Sequence, residues 1–403
     1  MPVIKKKLFF TIFILILATA STVFYLNRKR GNTVLLINTQ STDTVEGAKG
    51  KETAKVTPDE EAFFISGWIP YWSKKAGADS LFGKLALFSE INPFAYGVNP
   101  DGTLRDTLDI KNAPWPELQK EAQKKSIAIV PTIIWADAPA MHATFSDSQK
   151  LEKHVSAIST MLTQNDFPGV DIDYEGKDVA DQDLFTTFLE ALHQKLAPRG
   201  KTMSCTIEAR SQDDSPSDWT GTRAMSFAND YPALNRLCDS VRIMTYDQVF
   251  QMSGGKKIFD DSNEAPTTPN ADIYWVEKVM RYALQYISPS KLVMGVPTYG
   301  WEFSIKKTDA GHHYERVRSV TYPQALEEKT QNNAELNRTV GGEPFFIYDT
   351  PSGKHLVTFS DAQSIKQKIE LAKTLKIKGV SLFKIDGQTD PKFFSSIATE
   401  IVK

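Results

Sequence analysis

The sequence predicts an α/β protein built as a closed (β/α)8 TIM barrel. Three observations predict it: eight short apolar runs rich in β-branched residues, amphipathic stretches of helical period between them, and a 403-residue length that accommodates such a barrel with insertions. The strands are expected at "FFISGWI" (63–69), "EINPFAY" (90–96), "IAIVPTII" (127–134), "GVDIDYE" (169–175), "TMSCTIEA" (202–209), "SVRIMTY" (240–246), "KLVMGVPTYG" (291–300) and "GVSLFKI" (379–385). Helices are expected at 148–164, 182–197, 274–287 and 361–375, where apolar residues recur three and four apart. Between Trp301 and about Ser360, alternating segments such as "EPFFIYD" and "KHLVTFS" around Gly341-Gly342 predict a small β-rich (α+β) insertion after strand seven. Loops on that end of a barrel build the cleft, so the insertion is expected to wall it.

The barrel is expected to occupy residues 61–403, preceded by two segments of different character. Lys5, Lys6 and Lys7 precede an uncharged run from Leu8 to Leu26, and Arg28, Lys29 and Arg30 follow it. Residues 1–30 therefore read as a transmembrane signal-anchor helix. A cleaved signal peptide is the competing reading, since Ala18-Thr19-Ala20 suits a small-x-small cleavage site. Either reading exports the rest of the chain: to the outer face of the cell membrane as a single-pass protein, or into the medium. Residues 31–60, rich in Thr, Gly, Lys and Glu without apolar period, read as a flexible linker.

A formal net charge of -2 gives no global field for nucleic acid. The six histidines show no ligand spacing, and the adjacent His312 and His313 read as a surface loop, so neither metal nor cofactor is expected. A single-chain monomer is expected. Cys205 and Cys238 are expected to be two free thiols.

The fourth strand carries the chemistry. Asp171, Asp173 and Glu175 alternate with Ile172 and Tyr174, and residues two apart on a strand share a face. Stacked like charges raise one another's pKa, a strain kept mainly where protonation states are used. Glu175 falls at the C-terminal end, where barrels of this kind keep their reactive groups, with Asp173 and Asp171 progressively deeper. Other strand ends carry Trp68 and Tyr71, Tyr96, Trp135, Glu208 and Arg210, Tyr246 and Asp247, and Tyr299 and Trp301. Several aromatic platforms around an open cleft suit sugar rings, whose C–H faces lie on aromatic faces. Trp275 is a further platform candidate by position.

These motifs carry a resemblance. "GVDIDYE" resembles the D-x-x-D-x-D-x-E signature of glycoside hydrolase family 18, the chitinases and related N-acetylglucosaminidases. "MTYD" (244–247), "GVPTYG" (295–300) and "GVSLFKIDGQTDP" (379–391) are similar to the family's elements on strands six, seven and eight, in the family's order. The pairing of "INPFAYGVNPDGTL" with "DYPALNRLCDSVRIMTYD" resembles the bacterial cell-wall and spore-cortex branch. The resemblance implies a retaining hydrolase in which the substrate's own 2-acetamido oxygen is the nucleophile and an oxazolinium intermediate forms. It implies Glu175 as general acid, its pKa raised by the carboxylates beneath it. Asp173 would orient the acetamido N–H, Asp171 would share a proton with Asp173, and Tyr246 would hold the acetamido oxygen. Tyr71, Tyr96, Trp135, Glu208, Asp247, Tyr299 and Phe383 are the substrate-binding candidates. The partner would be an N-acetylglucosamine polymer such as chitin or peptidoglycan.

Two positions depart from the family pattern: Pro168 stands where the first signature Asp falls, and Phe383 where the family's usual floor Trp falls. A sugar-binding lectin on the same barrel is the alternative function. A calcium loop of EF-hand type fits loosely, but Gln182 stands where its bidentate Glu belongs.

Overall fold

Parallel strand pairing closes on itself in the first sheet, which is what brings distant strand ends together. The computed structural model describes residues 63–211, 226–248, 258–260, 269–308 and 311–401. The anchor and linker segments, 1–30 and 31–60, and the side chains of His312 and His313 lie outside the described residues. Among the described residues no helix is long and apolar enough to cross a membrane.

The first half of the chain runs β1 (Phe64–Ile69), α1 (Lys74–Leu81), β2 (Glu90–Val98), β3 (Leu104–Asp106), α2 (Trp115–Lys124), β4 (Ala128–Ile129), β5 (Thr132–Trp135), α3 (Ala138–Phe145), α4 (Ser148–Gln164), β6 (Gly169–Tyr174) and α5 (Gln182–Leu196). It continues through β7 (Thr202–Glu208), α6 (Tyr231–Leu237), β8 (Ser240–Met244), β9 (Ile258–Asp260), α7 (Ile273–Ala283) and β10 (Leu292–Pro297). The barrel order is β1-β16-β10-β8-β7-β6-β5-β2, where β16 (Gly379–Phe383) is the last strand, and β1 pairs with β2 to close the ring. Asp147 starts α4 by accepting from the amides of Gln149 and Lys150 at 2.9 and 3.1 Å, a helix N-cap.

The third barrel strand differs from expectation in being split into β4 and β5. Pro131 lies at the break and has no N–H to give the ladder. Its carbonyl still accepts from the amide of Asp171 at 3.0 Å, so β6 stays in register beside it.

The insertion is a second, antiparallel sheet. Its strands β11 (Tyr299–Thr308), β12 (Gly311–Thr321), β13 (Asn337–Arg338), β14 (Pro344–Thr350) and β15 (Gly353–Thr358) take the order β13-β14-β15-β11-β12-β9. Helix α8 (Tyr322–Gln331) crosses between β12 and β13, and Val320, Phe346, Val357 and Phe359 form its core. Helices α9 (Ala362–Thr374) and α10 (Phe393–Ile401) flank β16. The sheet is larger than the sequence predicts, because β9 joins it from the connection that follows β8.

Cys205 and Cys238 form a disulfide, which corrects the expectation of free thiols. Ser204 and Thr206 point into the barrel, so Cys205 between them points outward. Residue 238 follows α6 and leads into β8, the neighbour of β7, which brings the two Cα atoms to 6.1 Å. Closing a loop of this length stabilises the fold by roughly 4 kcal/mol in the chain-entropy account.

Candidate active site

Strand parity on β6 sorts the chemistry from the core. Val170, Ile172 and Tyr174 face the helices and are fully buried. Tyr174 packs on Phe145 and Phe188 and bonds His154 Nε2 at 2.7 Å. His154 Nδ1 lies 2.6 Å from the Gly102 carbonyl and so carries the proton, leaving Nε2 to accept from the Tyr174 hydroxyl. Burial pushes this histidine down to about 4, and it is a neutral structural residue.

Asp171 and Asp173 face inward and are buried. Asp171 is saturated: Oδ1 accepts from Ser204 and Thr206 at 2.7 and 2.9 Å, Oδ2 from Trp68 Nε1 and Thr132 at 3.0 and 2.9 Å. The guanidinium of Arg242, itself buried and bonded to Glu90, lies 3.9 Å from Oδ2. Four donors and a cation surround the two oxygens of Asp171, and none of these contacts is with Asp173. The same donors exclude a cation on this carboxylate, and with it the calcium-loop reading.

Asp173 is the opposite case. Its Oδ1 has no hydrogen-bond partner. Burial first, then the charges of Glu175, Asp171 and Glu208, hold it well above the usual carboxylate range, so it keeps its proton.

Glu175 follows the strand, its amide donating to the Trp135 carbonyl at 2.8 Å. Gly176, at φ +71°, turns the chain away immediately afterwards, a conformation open to glycine. Glu175 is pushed up to about 7, by burial and then by Glu208, with Asp247 adding and Lys177 opposing. The charge of Glu175 in turn opposes ionisation of Asp173 beneath it.

Tyr246, two residues beyond β8, is buried and stacks on Phe383 with ring centroids 5.3 Å apart and planes at 15°. Burial, then Asp173 and Glu175, keep its phenol protonated far into the alkaline range. Gly295 on β10 makes room for it: a Cβ there would stand 2.6 Å from the Ile243 carbonyl and 3.0 Å from Tyr246 Cε1. Asp247 adopts φ +55°, its amide donating to Asn270 Oδ1 at 2.9 Å. Its carboxylate accepts from the Tyr299 hydroxyl at 2.6 Å and Trp301 Nε1 at 2.8 Å, yet burial still raises its pKa. Phe383 has rings of Trp68, Phe94, Tyr246 and Tyr299 around it at 5.3–6.1 Å. The residues brought together are thus Asp171, Asp173, Glu175, Tyr246, Asp247, Tyr299 and Phe383.

Glu208 also adjoins the site, but both its oxygens are engaged internally, by the Gly176 amide at 2.9 Å and Asn229 Nδ2 at 2.8 Å. Tyr71 is 45% exposed beside Trp72 at 53%, just after β1, and rings continue inward through Phe94 to Phe383. Two candidates lie elsewhere. Tyr96 is buried in the core with its hydroxyl toward Asn165 at the end of α4, and Trp135 is 3% exposed among Phe145, His154 and Tyr174. Both sit in the layer between barrel and helices, with no face open to a sugar. The platform candidates Trp275 and Trp301 are likewise engaged: Trp275 packs against the core, and Trp301 binds Asp247 and has the Arg316 guanidinium 5.2 Å from its ring centre. Sequence reasoning missed Trp72, Lys177, Arg242 and the Ser204–Thr206 pair. For Arg242 and the Ser204–Thr206 pair the signal is polar residues at alternate positions of otherwise buried strands; Trp72 and Lys177 lie off the strands and carry no such signal.

A barrel whose strand ends gather one neutral and one near-neutral-pKa carboxyl under aromatic rings has the make-up of a glycosidase. The chain belongs to the glycosyl hydrolases family 18, whose model matches residues 68–388. It is 28% identical over 221 residues to the cortical fragment-lytic enzyme of Bacillus subtilis, covering 54% of this chain and 46% of that protein. It is 22% identical over 337 residues to the putative sporulation-specific glycosylase YdhD of the same organism, covering 82% of this chain and 74% of the relative. The crystal structure of the Bacillus cereus spore cortex-lytic enzyme SleL superposes with a TM-score of 0.66 at 19% identity, over 84% of this chain and 74% of that one. The chain is a glycosidase of this family.

Proposed function

We propose that the protein hydrolyses β-linked N-acetylglucosamine glycans with retention, by substrate-assisted catalysis. Glu175 protonates the leaving glycosidic oxygen, a role that suits an acid with a pKa of about 7. The 2-acetamido oxygen attacks the anomeric carbon as that bond breaks, giving an oxazolinium ion, and Glu175, now a carboxylate, takes a proton from the water that opens it. Asp173 holds the acetamido N–H, the Tyr246 hydroxyl steadies the acetamido oxygen near the anomeric carbon, and Phe383 lies under the reacting sugar. The observation that carries this reading is the contrast along β6 and the residue that follows it: a saturated Asp171, then Asp173 and Glu175 whose carboxyls are both held above the usual range.

Among N-acetylated polymers we favour bacterial cell-wall glycan, because two relatives are named for cortical-fragment lysis and sporulation. We further propose that the enzyme works outside the cytoplasm as a tethered monomer. The uncharged run Leu8 to Leu26 supports the tether, and the Cys205–Cys238 disulfide suits an oxidising compartment. The test is incubation with chitin oligomers and with purified peptidoglycan, products being identified by mass and anomeric configuration by NMR. Wild type is expected to release β-configured reducing ends from peptidoglycan, and Glu175→Gln to be slower by at least about 10³-fold. Wild-type rates in that variant, or an inverted product, would overturn the mechanism.

A further inference from the structure

We propose that Lys177 and Glu208 form a buried counter-charge pair that fixes the turn carrying Glu175 and sets the pH range over which Glu175 can act as an acid. The inference rests on the reading of Glu175 as general acid and adds two positioning residues to it.

The geometry is built for this purpose. The Lys177 side chain is 1% exposed, a rare place for a lysine, and it needs a partner there. Its ammonium donates to the carbonyl of Tyr174, the last residue of β6, and so folds back over the strand end from two residues beyond Glu175. It stands 3.7 Å from Glu208 Oε2 and 4.5 Å from the centre of the Phe185 ring. Glu208 in turn holds the Gly176 amide at 2.9 Å through Oε1, and Asn229 orients its other oxygen at 2.8 Å. Tyr174, Gly176 and Lys177 are therefore pinned, and Glu175 lies in the middle of them.

Three charges face Glu175, together with the protonated Tyr246 phenol. Glu208 at the end of β7 and Asp247 beyond β8 disfavour its ionised form; Lys177 in its own turn favours it; Asp173 below is neutral. Glu208 holds the Gly176 amide and Lys177 the Tyr174 carbonyl, so both side chains contribute to the clamp. What Lys177 adds is a positive charge that opposes Glu208 and Asp247, keeping Glu175 able to lose its proton during turnover.

The pair predicts displacements of opposite sign. In the full chain, kcat/KM falls at high pH as the general acid loses its proton. Lys177→Met is expected to move that alkaline limb to higher pH, and Glu208→Gln to lower pH, each by about half a pH unit or more. Lys177→Arg is expected to restore the wild-type limb, and the double variant to fall between the singles. Titration of the Glu175 side-chain carboxyl by 13C NMR, assigned with Glu175→Gln, reads the same displacement without turnover. Should Lys177→Met fail to fold, Glu208→Gln and Lys177→Arg carry the test. Limbs and titration midpoints unmoved in the folded variants, with only kcat reduced, would overturn the inference. If no N-acetylglucosaminide were cleaved by wild type, the functional reading would fall, while the NMR midpoints would still decide whether the pair governs Glu175.

Discussion

Glu175→Gln is expected to stabilise the fold while removing its activity, and the size of the gain follows from the site. In an unfolded chain a glutamate ionises near 4.5, whereas in the fold Glu175 holds its proton to about 7. Below the first value both states are protonated and the group is neutral toward stability. Between the two values the unfolded chain alone ionises, so the wild type loses stability steadily, and above about 7 the loss is complete. The ceiling is about 3 kcal/mol at about 1.4 kcal/mol per pH unit, and solvent access to the partly exposed carboxyl lowers it to roughly 2 kcal/mol. Glutamine copies the protonated acid and escapes this penalty. Urea unfolding at a series of pH values should show Glu175→Gln more stable than wild type above pH 7, the advantage shrinking as pH falls and gone by about pH 4. In thermal melts at pH 8 the gain should be roughly 3–5 °C for a domain of this size. A less stable variant at pH 8, or an advantage independent of pH, would refute the reasoning that burial and Glu208 hold the proton on Glu175.

Asp171→Asn should do the reverse, since it replaces one acceptor among four donors and strips Arg242 of a counter-charge; a loss of about 2–4 kcal/mol at pH 7 is expected by urea unfolding. Wild-type stability in that variant would show that the four hydrogen bonds do not hold a charged group. Gly295→Ala places a methyl group 3.0 Å from Tyr246 Cε1 and 2.6 Å from the Ile243 carbonyl. It should cost about 1–3 kcal/mol and lower kcat by at least about 10-fold through displacement of the Tyr246 ring, measured by melts and steady-state kinetics. Unchanged kcat in the folded variant would detach Tyr246's position from turnover.

What could be read from the sequence was whatever depends on one strand at a time. The alternation of Asp171, Asp173 and Glu175 is local, and so is its consequence that they share a face; the helix at 148–164 follows in the same way from its apolar spacing, and the structure adds its Asp147 cap. Tyr96 and Trp135 show where that reasoning stops. A strand's end can be located without knowing which of its last residues points inward, and a one-residue change of parity moves a side chain from the cleft to the helix layer. On β5 the parity is set by Thr132, which bonds Asp171; Trp135, three residues on, must then face outward beside Tyr174. The bulge between Phe94 and Tyr96 does the same on β2, turning Phe94 toward Phe383 and Tyr96 toward Asn165. The disulfide and the Asp171 donors are contacts between strands far apart in sequence, so no local pattern announces them.

Those cross-strand contacts also decide the chemistry. A column of three carboxylates on one face does not by itself say which of them holds a proton. The answer depends on Ser204, Thr206 and Arg242, supplied by the next strands around the barrel, which satisfy Asp171, and on the absence of a hydrogen-bond partner at Asp173 Oδ1. Both oxygens of Asp171 accept hydrogen bonds whereas Asp173 Oδ1 accepts none, and burial holds Asp173 well above the usual carboxylate range. An acid at Glu175 can then ionise and reprotonate above a neutral neighbour, without competing against a second negative charge directly beneath it.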